Sequence, residues 1–76
     1  MKDLLEYLAK SLVDNPEDVH VTVTETETAV VLELTVAKED VGKVIGKQGR
    51  IARALRTILK ASGVRDGRRV IVEIVD

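Results

Sequence analysis

The stretch from Asp40 to Arg56 reads DVGKVIGKQGRIARALR, and residue types and spacing that could do chemistry converge there. Gly46 and Gly49 bracket Lys47 and Gln48, with Arg50 and Arg53 close behind. A tight turn between two helices leaves the first amide N–H groups of the second helix without intrahelical acceptors. Those donors, with the positive end of the helix dipole, attract an anion. Glycine at both corners admits φ > 0 and lets a phosphodiester approach with no Cβ in its way. Lys47 would add a point charge at the tip, Gln48 a neutral donor and acceptor, and Arg50 and Arg53 a positive surface along the second helix. Val44 and Ile45, just upstream, would form an apolar wall for bases or sugars. The chemistry so assembled is the gripping of a phosphate backbone by Gly46–Gly49, Lys47, Arg50 and Arg53. Gly42, one turn earlier, reads as a position of close helix packing rather than part of the clamp.

Nothing elsewhere suggests bond-making. His20 is the only histidine, cysteine is absent, and no carboxylates converge in the pattern. Metal-ligand sets and acid–base pairs need such groupings, so no catalytic residue, metal, cofactor or small-molecule substrate is expected. Tyr7 is the only aromatic residue. Modules that stack bases on aromatic platforms, such as RRM, OB and cold-shock folds, are therefore excluded.

Net charge is −1, but it is unevenly spread. Met1–Asp40 carries three lysines against ten acids, whereas Val41–Arg69 carries nine Lys and Arg against Asp66 alone. Such asymmetry points to a localised anionic partner touching one face only. Lys43, Arg56 and Lys60 are equally consistent with solvated charge and with contact, as are Arg65, Arg68 and Arg69 around a turn. Glu25, Glu27, Glu33 and Glu73 would keep the opposite surface soluble.

Periodicity indicates the elements that must position the clamp. Leu4, Leu5, Leu8 and Leu12 form one helical stripe over Lys2–Val13, ended by Asn15-Pro16. Val19, Val21 and Val23 alternate with polar residues, and so do Val30, Leu32, Leu34 and Val36, with Glu25–Thr28 between them as a hairpin connection. Glu39 and Asp40 open a short helix bearing Val41, Val44 and Ile45. After the break at Gly46–Gly49, a second helix runs from Arg50 to about Ser62, with Ile51, Ala54, Leu55, Ile58 and Leu59 as its apolar face. Gly63 is expected as its left-handed C′ cap, and VRDGRR as a turn. Val70–Val75 is nearly all apolar and reads as a strand buried on both faces. The order helix, strand, strand, helix, helix, strand predicts an α+β domain spanning residues 1–76. It would have a three-stranded mixed sheet with three helices on one face. No run approaches the roughly 18 apolar residues of a membrane span, and no secretory signal is apparent, so a cytoplasmic protein is expected.

VIGKQGR (Val44–Arg50), set in this element order, resembles the KH domain in its type II, prokaryotic arrangement. In that fold a GxxG loop clamps about four nucleotides of backbone. A stand-alone domain opening near LLEYLAKSLVDNPEDV is similar to the small bacterial KhpA family. The resemblance implies a cytoplasmic protein that binds single-stranded RNA and acts as an RNA chaperone. It also implies a homodimer, a larger KhpB-like partner with KH and Jag domains, and a link to cell elongation and peptidoglycan homeostasis. A KH-fold dimerisation or protein-interaction module, with incidental RNA or single-stranded DNA binding, is the alternative.

Overall fold

The computed structural model describes residues 1–63 and 67–75. Helix α1 (Lys2–Leu12) is followed by strands β1 (His20–Glu25) and β2 (Ala29–Thr35), helices α2 (Val41–Ile45) and α3 (Arg50–Gly63), and strand β3 (Arg69–Val75). The sheet order is β1-β2-β3, with β1 antiparallel and β2 parallel to its neighbour β3. The α2–α3 pair is the crossover that a parallel pairing requires. The mixed three-stranded sheet and three helices expected of a type II KH fold are therefore present.

Alternation along the strands decides which face is covered. Val21 pairs with Leu34, Leu34 with Ile74, and Leu32 with Val72. These side chains share one face of the pleat, where Leu5 and Ala9 of α1, Val44 of α2 and Leu55 and Leu59 of α3 close over them. At the hairpin, the Thr26 hydroxyl accepts the Ala29 amide (3.0 Å) and the Thr26 amide donates to the Ala29 carbonyl (2.8 Å).

Several expectations need correction. Strand β3 is not buried on both faces. It is an edge strand of a sheet with helices on one side, so Val70 and Val72 are buried while Glu73 and Val75 are exposed. Val23 keeps the alternation but lies exposed beyond the cover of the helices. Helix α3 is rotated relative to the apolar stripe read from its sequence: Ala52 enters the core, whereas Ala54 and Ile58 are exposed. Helix α1 seats Leu5 and Ala9 rather than Leu12. Gly63 closes α3 instead of following it, and Val64–Asp66 of the expected turn lie outside the described residues.

Candidate nucleic-acid interface

Helix α2 ends when the Gly46 amide donates to the Gly42 carbonyl at 2.9 Å. Gly46 then takes φ 76° and ψ 173°, a combination open in practice to glycine alone. Gly49, at φ 73°, is the second left-handed corner. Between them Gln48 is also left-handed, at φ 59° and ψ 25°, a conformation that costs an L-residue about 1–2 kcal/mol. No sequence signal announced this, since the non-glycine residues that favour that region are Asn, Asp and His.

The turn distributes its amides unevenly. The Gly49 N–H donates to the Gly46 carbonyl at 3.1 Å, and the Arg50 N–H donates to the Lys47 carbonyl. Lys47 and Gln48 open the helical turn Lys47–Gly49, where the first N–H groups have no partner within the turn itself. Of the four amides in Gly46–Gly49, those of Gly46 and Gly49 are therefore already spent on backbone carbonyls.

Charges around the loop fall into three groups. Lys47 and Arg50 are exposed, and neither pairs with an acid among the described residues. Arg50 Nη2 lies 3.4 Å from the Gln48 side-chain oxygen. Arg53, expected on the phosphate, directs its Nη2 to the Gln48 carbonyl at 2.8 Å. Lys43 is committed elsewhere, ion-paired with Asp14 and, at 3.3 Å, with Asp40. Its pKa is raised, first by the Asp14 hydrogen bond, partly opposed by burial, and helped by Asp40.

Two further expectations are revised. Val44 is fully buried and cannot form a ligand-facing wall, because α2 directs it inward against the sheet. Ile45 remains half-buried beside the loop. Gly42 is exposed with nothing within 4 Å of a Cβ placed on it, so it packs against no neighbour.

Asp40 is the structural residue that sequence reading missed. Fully buried, it accepts the backbone amides of Asp14 (3.3 Å) and Asn15 (3.0 Å) and the Asn15 side-chain amide (2.9 Å). It thereby ties the end of α1 to the start of α2, and so holds the helix that leads into the loop. Burial alone would raise its pKa. The Asn15 side chain, the Asp14 and Asn15 amides and Lys43 outweigh that effect and hold it below the ordinary value.

A concavity of about 340 Å³ opens between α3 and β3, lined by Arg56, Lys60, Arg68, Arg69 and Val70–Val72. Arg56 Nε donates to the Val72 carbonyl at 3.2 Å, covering an acceptor on the strand, and Arg68 pairs with Glu25 at 3.4 Å. The cationic surface therefore continues from the loop along α3 to this edge.

The whole chain has close relatives. Residues 2–74 match the KhpA/KhpB KH-domain family. The chain belongs to that family. It is 57% identical over 75 residues to the RNA-binding protein KhpA of Clostridium perfringens, covering 99% of this chain and 100% of that protein. Identity to the RNA-binding protein KhpA of Aquifex aeolicus is 58% over 76 residues, covering 100% of this chain and 96% of the relative. To the protein of that name from Listeria monocytogenes it is 47% over 76 residues, with both chains fully covered.

Proposed function

We propose that this chain is a single KH domain over residues 1–76 that binds single-stranded RNA by its backbone. The observation that carries this reading is the glycine-bracketed turn Gly46–Gly49, which spends the Gly46 and Gly49 amides on backbone carbonyls and sets Lys47 and Gln48 at the head of a helical turn beside the exposed Arg50. Phosphates would lie over the Lys47 and Gln48 amides, with Lys47 and Arg50 supplying charge and Ile45 an apolar flank. The name shared by the relatives, RNA-binding protein KhpA, supports the same assignment. No enzymatic role is proposed.

Replacing Lys47 and Gln48 together with Asp tests the clamp. Single-stranded RNA binding at low salt should be lost, and binding that survives unchanged would overturn the assignment. Affinity of the wild-type chain should fall with salt with a slope of about −1.4, as for two phosphates neutralised by Lys47 and Arg50 on a single strand. Competition with a matched DNA oligomer reports whether the 2′-hydroxyl contributes.

Few phosphate contacts and no aromatic stacking make one copy a weak binder, so avidity from a second copy or partner belongs to the same reading. On the family resemblance, the chain acts in the cytoplasm as a homodimer and RNA chaperone. It would work with a KhpB-like partner in control linked to cell elongation and peptidoglycan homeostasis. The exposed apolar side chains Tyr7 (69%) and Ile58 (41%) favour a protein-contacting role beside RNA binding. Solution mass, alone and with that partner, tests it: a monomer under both conditions would remove the assembly part.

A further inference from the structure

Both ends of the Gln48–Gly49 peptide are tied down. Its carbonyl oxygen accepts Arg53 Nη2 at 2.8 Å, and its N–H donates to the Gly46 carbonyl at 3.1 Å. Because a peptide unit is planar, two bonds at opposite ends set the orientation of the plane. That plane in turn holds Gln48, at the centre of the turn, in its left-handed conformation. Arginine is suited to this task, since a charged donor makes a stronger bond to a carbonyl than a neutral one does. A guanidinium engaged in this way is directed at the protein's own backbone.

We propose that Arg53 is a positioning residue of the clamp. It raises affinity for the RNA backbone by bracing the Gln48–Gly49 peptide, so that the Lys47 and Gln48 amides are aimed before the ligand arrives, and it neutralises no phosphate itself. This rests on the RNA-binding reading above, and the benefit is one of preorganisation.

The two possible roles of Arg53 leave different signatures. Removing a phosphate-contacting cation makes the salt dependence shallower by about 0.7 for a single strand. Removing a brace weakens binding at every salt concentration and leaves the slope unchanged. Glycine at position 48 meets no left-handed penalty, so it should relieve the need for the brace.

The experiment compares wild-type protein, Arg53→Ala, Gln48→Gly and the double variant by titration with a single-stranded RNA oligomer across a salt series. Amide hydrogen exchange at Gly49 is measured in the free proteins. Arg53 is exposed, so its removal leaves the core intact. Arg53→Ala should weaken binding about tenfold with a parallel salt slope, and exchange at Gly49 should quicken. In the Gln48→Gly background the same substitution should cost no more than about twofold. A shallower slope, or an equal loss in both backgrounds, would overturn the brace in favour of a phosphate contact. Unchanged exchange at Gly49 in Arg53→Ala would overturn it without reference to RNA. A wild-type chain that binds no RNA would instead sink the proposed function, and the affinity role of Arg53 with it.

Discussion

A methyl group on Gly46 would lie 2.5 Å from Ile51 Cγ1, and 2.8 and 2.9 Å from Cβ and Cδ1 of the same side chain. Ile51 packs against the core from the first turn of α3, so it has little freedom to withdraw. The corner of the loop is thus shaped by contact between the two helices as well as by its own φ of 76°. Gly46→Ala should cost more than about 2 kcal/mol of stability. Gly49 is left-handed but has open space around it, so Gly49→Ala should cost only about 1 kcal/mol. Denaturant unfolding of the two variants checks the order, and equal losses would contradict the Ile51 clash.

Asp40 sets an acid limb to stability. Its folded-state pKa lies below the ordinary 3.8, so its contribution is complete above that value and is lost as pH falls through the folded value. Lys43, raised above 10.5, contributes below that pH and loses its effect as pH rises through its own folded value. Asp40→Asn should lower the melting temperature by more than about 5 °C near neutral pH and flatten the melting profile below about pH 4. Thermal melts from about pH 2 to 8 provide the comparison. An acid limb as steep as that of the wild type would show that other carboxylates produce it.

Gly42 should tolerate alanine. It is an exposed helical glycine with nothing within 4 Å of the added carbon, so Gly42→Ala should add about 0.5 kcal/mol through helix propensity. Urea unfolding of the free protein measures this. Loss of stability would mean that the space is not open. Unchanged stability with weakened RNA binding would bring Gly42 into the interface.

On the uncovered face of the sheet, Glu33 and Glu73 stand opposite one another in the parallel register. Neighbouring strands run about 4.8 Å apart, and like charges set directly across them are destabilising. Neither acid has an ion pair among the described residues. Glu73→Thr should therefore stabilise the protein by about 0.5 kcal/mol at low ionic strength, with the gain shrinking as salt is added. A gain that ignores salt would assign the effect to strand propensity instead.

Much of the architecture could be read in the sequence because it depends on local periodicity. The alternation of Val30, Leu32, Leu34 and Val36, the stop at Asn15-Pro16 and the glycines at 46 and 49 each carry their meaning within a few residues. The same holds for the basic run from Lys47 through Arg53. Long-range packing decided the rest. Strand β3 reads as buried on both faces because Val70–Val75 is nearly all apolar, yet only the packing of the helices on one side of the sheet reveals that its Glu73 and Val75 face is open. The buried face of α3 depends on how the helix rolls against the sheet, which moved Ala52 inward and Ile58 outward. Asp40 and Asn15 are 25 residues apart, so no local pattern shows their bond. Lys43 and Arg53 look alike in sequence to Lys47 and Arg50. Only folding brings Asp14 to the first and the Gln48 carbonyl to the second, and that proximity separates the cations engaged within the fold from the exposed Lys47 and Arg50.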